Sequence, residues 1–363
     1  MRKSAFLLVI IAVILFLMFF SFNFTNLIPT FNEGRISFEQ NPVVKNIQEF
    51  ILNSLKYIET VIGNRIMLDN GRLIIDFRTK TGVLELPSSK ESVGTDSSSF
   101  ANLPSVNSEK DLYLLIKNTL HKNEEEITFI AKSSFCDSMG SSCSSEDIIT
   151  SMSDVVKLVL SHHPEIGYTD KWTVSVVSYN NDVNKVTIKF DYFYPKDKLE
   201  KIKEEVNIKA KEIISKIITP NMTELQKAKA IHDYIVKHTK YDYKNYLNNT
   251  IPLESFTAYG VLIKGVGVCQ GYTAAFNLLA HMAGIDSLGV SGTGFYNGKA
   301  MPHAWNMVRI DGKIRYIDVT WDDPVPDRGN KVMYTYFNVT EKQLEKDHKW
   351  DKEKFSEKYF DYK

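Results

Sequence analysis

The sequence predicts an α+β fold: a helix that opens on a cysteine, an antiparallel β-hairpin after it, a small α/β domain before it and a transmembrane helix at the N-terminus. Three observations carry this. Gly265-Val-Gly-Val-Cys269 runs into a helical pattern in which Tyr272, Phe276, Leu279 and Ala283 share one face. Alternating strands flank Asp311-Gly312, a strong two-residue hairpin turn. Residues 4–22 are uncharged and strongly apolar, long enough at helical rise to cross a bilayer.

The N-terminus sets the expected compartment. Arg2 and Lys3 precede the apolar run and no cation follows until Arg35, which puts the N-terminus inside. The rival is a cleaved signal peptide, but its apolar region is usually shorter and no small-x-small site follows residue 21. An uncleaved anchor with an extracytoplasmic ectodomain is therefore expected, with residues 1–24 as tip and span. Lys plus Arg and Asp plus Glu are equal at 44 each, which argues against a nucleic-acid partner.

Residues 25–108 read as a juxtamembrane part. Val44, Ile47, Ile51, Leu55, Ile58 and Ile62 recur at helical spacing, residues 73–77 suit a strand, and residues 88–108 are a Ser-rich linker. Residues 109–219 read as the small α/β domain. Residues 112–120 form a helix with Ser108 as cap, residues 127–131 a strand and residues 148–160 a second helix. Residues 172–179 and 186–194 alternate around a polar loop as a hairpin, and a charged amphipathic helix over 196–218 stops before Pro220.

Residues 220–363 hold the chemistry. Thr223-Glu-Leu-Gln226 is a capping box, Ser255 can cap a short helix ending at Gly265, and Gly284 closes the Cys269 helix. An apolar segment over 285–290 and a Gly-rich loop over 292–298 lead to the hairpin. A thiol at a helix N-terminus is activated by unpaired backbone N–H groups and the helix dipole. If Asp311 and Gly312 are the loop, Ile310 faces Lys313, which sets His303 opposite Thr320 and Asp318 opposite Trp305. His303 and Asp318 are then diagonal neighbours about 7–8 Å apart, within reach of a hydrogen bond. A one-residue slip would separate them. An Asp that fixes the imidazole tautomer leaves the other nitrogen for the thiol proton. Each residue alone has a bland reading: Cys269 in the core, His303 on a strand surface, Asp318 on a polar face. Together they make a nucleophile, a base and its orienting group.

These residues also carry a resemblance. Gly265-Val-Gly-Val-Cys-Gln-Gly-Tyr272, His303-Ala-Trp-Asn306 and Tyr316-Ile-Asp-Val-Thr-Trp-Asp-Asp-Pro324 resemble, in order, the cysteine, histidine and aspartate motifs of the transglutaminase-like superfamily. Ile231-His-Asp-Tyr234 and the tail from Tyr336-Phe-Asn-Val339 to Asp347-His-Lys-Trp350 are similar to bacterial members. The resemblance implies a papain-like core, a Cys-bearing helix packed on an antiparallel sheet, and acyl transfer through a thioester on protein or peptide amides. It implies no cofactor. Tyr241 and Tyr243 are candidates for a second oxyanion donor, though packing is the commoner role.

Cys136 and Cys143 flank a short polar loop and can pair in an oxidising space, leaving Cys269 free; the alternative is three reduced thiols. His162, His163, His281 and His348 match no zinc spacing and read as helix-end, surface or tail residues. A cysteine peptidase of the same fold and a non-catalytic surface scaffold are the rival functions.

Overall fold

The computed structural model describes residues 103–362, apart from 140–144, 181–182 and 328–330, together with the backbone of three strands between residues 64 and 83. The expected span at 4–22, the helix at 41–63, most of the Ser-rich linker and Cys143 lie outside the described residues. Among the described residues, no helix is long and apolar enough to cross a membrane.

Strands β1 (Asn64–Asp69) and β2 (Arg72–Phe77) pair antiparallel, so the strand expected at 73–77 is present. Strand β3 (Thr81–Val83) joins a five-stranded sheet with β4 (Ser105–Val106), and the end of the Ser-rich stretch is therefore an edge strand. Helix α1 (Glu109–His121) starts as expected, with Ser108 Oγ accepting from Asp111 N. Strand β5 (Glu126–Lys132), helices α2 (Ser133–Met139) and α3 (Ser145–His162), and the hairpin β6 (Thr169–Asn180) and β7 (Val183–Tyr192) follow. The sheet order is β3-β6-β7-β5-β4.

Helix α4 (Lys196–Ile217) leads to α5 (Glu224–His238), whose capping box forms: Thr223 Oγ1 accepts from Gln226 N, and Gln226 Oε1 from Thr223 N at 2.9 Å. Strand β8 (Lys240–Tyr241), helix α6 (Tyr243–Asn248) and strand β9 (Val266–Gly267) approach the cysteine; β8 and β9 pair parallel. Ser255 does not cap a helix. It lies inside a 3-10 turn, Leu253–Phe256, and donates to buried Asp242 at 2.7 Å, because a carboxylate under the turn is a stronger partner than a helix end. The helix expected to end at Gly265 is a single π turn, Gly260–Lys264, and Gly265 ends it at φ 67°.

Helix α7 (Cys269–Met282) is buried nearly all round, including Ala274, Ala275 and Ala280 behind the expected apolar face. It packs on the sheet of β10 (Asp286–Tyr296), β11 (Lys299–Ile310) and β12 (Lys313–Ile317). A short helix α8 (Val319–Asp322) follows β12, then α9 (Glu341–Leu344) and an edge strand β13 (His348–Lys349), giving the order β12-β11-β10-β13. The Gly-rich segment 292–298 is not a loop. Its first five residues extend β10, and only Asn297-Gly298 turns, both at positive φ. The glycines there answer to neighbours rather than to turns: a Cβ on Gly292 would sit 2.3 Å from Lys349 O, where β13 pairs.

The four-stranded sheet stands between two apolar cores. Val308, Ile310, Ile317 and Val319 share one core with α7 and with Val206, Ala210 and Ile213 of α4. Leu288, Val290, Trp305 and Met307 share the other with Val155, Val156 and Val159 of α3 and with Trp172 of β6. The described residues between 64 and 362 accordingly form one compact unit.

Candidate active site

Cys269 is the first residue of α7 and is part-exposed. The helix starts there because β9 ends against β8, and Gly271 lets its first turn press on the chain: a Cβ on Gly271 would lie 2.5 Å from Ser255 O. The N-cap is Val268, which supplies no side-chain acceptor. The first N–H groups of α7 therefore stay available beside the thiol. Tyr241, on β8 opposite Gly267, comes close enough that the sulfur's charge helps to raise its hydroxyl, after burial. Tyr243 is exposed and contacts Tyr246.

His303 and Asp318 meet as expected, but not wholly by the expected route. The hairpin register is the one that Asp311-Gly312 implies, Ile310 opposite Lys313 through Asn306 opposite Ile317. The ladder stops at Ile317. Asp318 is not a strand residue facing Trp305; it caps α8, its Oδ1 accepting from Thr320 N at 3.0 Å and Trp321 N at 3.1 Å. Thr320, expected opposite His303, is likewise helical. The reason is local: two backbone N–H groups satisfy a buried carboxylate better than an extended strand end. The other oxygen, Oδ2, lies 2.6 Å from His303 Nε2. The His303 ring lies close enough to Cys269 that the sulfur helps to raise its proton affinity, and with Nε2 committed to Asp318, Nδ1 is the nitrogen left for the thiol.

The electrostatics favour a charged pair. Burial alone would push His303 down; the Asp318 carboxylate, and then Cys269, push it up to about 10. Burial opposes ionisation of Asp318, but His303 and His348 hold its carboxyl far below the ordinary range. Trp321 stacks on His303 at 4.7 Å between ring centroids. Asn306 ties β11 to α7, its Nδ2 donating to Thr273 O at 3.1 Å.

His348 is the residue that sequence reasoning missed. It was expected in a charged tail, yet it is fully buried, with Nε2 3.2 Å from Asp318 Oδ2. The signal lay in the tail around Asp347-His-Lys-Trp350, whose resemblance carried no role for the histidine. Donor atoms of His303, Asp318 and His348 lie within 4.8 Å of one another, a spacing that a metal ion also accepts. Here both nitrogens aim at one carboxylate oxygen at hydrogen-bond distance, which is the geometry of a proton-sharing cluster.

The other polar groups are structural. His232 Nε2 lies 3.1 Å from Asp322 Oδ2, tying α5 to α8. His162 and His163 are buried rather than superficial, both bonded to Tyr113 Oη. His281 bonds Ser287 O at the far end of α7 from Cys269. A cavity of about 310 Å³ lies there, lined by Lys117, His163, Glu165, His281 and Tyr359 and by none of Cys269, His303 and Asp318. Cys136 is disulfide-bonded and Cys269 is free.

Residues 211–320 match the transglutaminase-like superfamily. The chain is similar to the kyphoscoliosis peptidase of Mus musculus, 25% identical over 39% of this chain and 23% of that protein. It is also similar to that of Homo sapiens, 26% identical over 32% of this chain and 18% of that protein. The chain thus spans about a fifth of the length of these curated relatives. A solved structure described as a TGase is similar at 16% identity and TM-score 0.29, covering 61% of this chain and 59% of that one. The resemblance carried by the three motifs holds: the segment 211–320 matches the transglutaminase-like superfamily.

Proposed function

We propose that this protein is a cysteine acyltransferase or amidohydrolase that acts on protein or peptide amides, with Cys269 as nucleophile, His303 as its acid–base partner and Asp318 as the orienting group. One observation carries the reading: the free thiol at the start of α7 lies near enough to raise the proton affinity of the His303 ring, and Asp318 holds that ring from behind at 2.6 Å.

The Cys269 sulfur attacks the amide carbonyl, forming a C–S bond. The oxyanion is met by the uncapped N–H groups of α7. His303, already protonated near neutrality, passes its proton to the leaving nitrogen as the C–N bond breaks. An amine or a water then attacks the thioester, His303 takes its proton, and the thiol is released. Water as acceptor makes the protein an amidase or peptidase, in keeping with the name of the kyphoscoliosis peptidases; an amine makes it a cross-linker.

The compartment is part of the proposal. Residues 4–22 anchor the chain and the catalytic segment works outside the membrane, where a disulfide between Cys136 and Cys143 persists. The test incubates the full chain in detergent with candidate surface proteins and reads products by mass spectrometry. Cross-links, deamidation or cleavage that vanish in Cys269→Ala support the reading. The same products from a folded Cys269→Ala would overturn it.

A further inference from the structure

His303 is not the only imidazole on Asp318. His348 places Nε2 3.2 Å from the same Oδ2, while its Nδ1 lies 2.7 Å from Asp347 Oδ1. The ring is fully buried, enclosed by Trp305, Trp321 and Tyr336 at centroid distances of 4.8, 4.5 and 5.3 Å. Asp347 is partly solvent-exposed and is held by Tyr336 Oη, which donates to its Oδ2 at 2.7 Å. An ionised carboxylate only accepts hydrogen bonds. For His348 to bond both, each of its nitrogens must donate, and a ring carrying both protons is an imidazolium.

We propose that His348 is a positioning residue of this site: a buried cation between Asp347 and Asp318 that holds the Asp318 carboxylate on His303 and sets the pH range in which Cys269 reacts. The proposal rests on the catalytic reading above. Asp318 is gripped from four directions, two backbone N–H groups on Oδ1 and two imidazoles on Oδ2. The groups that face His348 are Asp347 beside it, Asp318 at the cap of α8, His303 on β11, 5.5 Å away between ring centroids, and Tyr336 with its hydroxyl on Asp347. The order Asp347, His348, Asp318, His303, Cys269 thus alternates acids and bases from the surface to the sulfur. A second positive ring shares the carboxylate with His303, and its removal leaves His303 and Cys269 under one more unit of negative field. Loss of a cation raises proton affinity throughout such a cluster, so the reactive window moves to higher pH.

The experiment measures the rate of Cys269 alkylation by iodoacetamide on the full chain from pH 5 to 10, with the modified cysteine identified by mass spectrometry. His348→Gln keeps one N–H donor for Asp318 and loses the charge. Its profile is expected to shift to higher pH by about one unit with a near-parental maximal rate. His348→Leu loses donor and charge, and is expected to shift likewise and to react more slowly at its maximum. A folded His348→Gln whose profile overlies the parent's would overturn the proposal, since a merely space-filling ring changes melting temperature and not the profile. If neither variant folds, nitrogen-15 NMR of the parent decides, with His348 assigned through Asp347→Asn. Two protonated ring nitrogens at pH 7 support the proposal, and one bare nitrogen overturns it. Alkylation needs no turnover, so the readouts separate: a shifted profile without any amide product sinks the proposed reaction and leaves the role of His348 standing.

Discussion

At the scale of single residues, the site separates its acids by environment. In the fold His303 rises from its ordinary 6.5 to about 10. Its contribution to stability is therefore complete below about pH 6.5 and is lost as pH climbs toward 10. Asp318 is displaced the other way, so its contribution holds above the ordinary carboxylate range and fails only in strong acid. Between pH 7 and 10 the parent's melting temperature should fall by more than that of His303→Gln. Asp318→Asn keeps a good helix cap but presents a neutral amide to His303, and turnover should drop by about three to four orders of magnitude, with a lower melting temperature because the buried charge pairing is lost. Asp323 offers a contrast. Burial pushes it up, the hydrogen bond from Tyr272 pulls it back, and the charge on Asp327 raises it again, to about 7. The fold keeps a proton that the unfolded chain releases near pH 4, so stability falls as pH rises through that window. Asp323→Asn should therefore be more stable than the parent at pH 8, by about 1 kcal/mol in denaturant titrations.

At the scale of elements, β10 sets the aromatic wall of the site. A Cβ on Gly294 would lie 2.7 Å from Trp321 Cζ2 and 3.3 Å from His303 Cβ. Gly294→Ala must push the Trp321 ring off the histidine it stacks on. The rate of Cys269 alkylation should fall by up to about a hundredfold, while stability drops by only about 1–3 kcal/mol. The capping box of α5 works more gently. Its side chains are exposed, and Thr223→Ala should cost about 1 kcal/mol without touching the reaction, as thermal melts and alkylation rates together would show.

At the scale of the whole molecule, the four-stranded sheet cannot complete its core alone. Trp305 and Met307, two and four residues along β11 from His303, share their apolar cluster with α3 and with Trp172 of the other sheet. Gly289 is pressed against α3 as well, where a Cβ would meet Ser161 O at 2.3 Å. The described region should unfold in one cooperative transition. Trp172→Phe leaves only Trp305, Trp321 and Trp350 to report on the four-stranded sheet by fluorescence, replacing those three by Phe leaves Trp172 to report on the other, and both curves should have the same midpoint. Two separated transitions would mean that the sheets are independent.

Much of this was legible in the sequence because it depends on near neighbours in the chain. Asp311-Gly312 fixed the hairpin register, since only residues tolerant of positive φ make that two-residue turn. Thr223 and Gln226 marked the start of α5, and the glycines around Cys269 marked the start of α7. These signals also brought His303 and Asp318 together in advance, although they could not show that Asp318 leaves the strand to cap α8. Other features depend on contacts between residues far apart in the chain. Gly292 and Gly294 read as loop residues because composition cannot distinguish a glycine that turns from one crowded by Lys349 and Trp321. His348 belongs to a two-residue strand in a charged tail, and its meaning comes from Asp318, thirty residues earlier, across the edge of β10. Local signals set the elements and the pairing of His303 with Asp318. Only the packed sheet decided what surrounds that pairing, because burial and a second imidazole's charge arise when distant segments share one dry space.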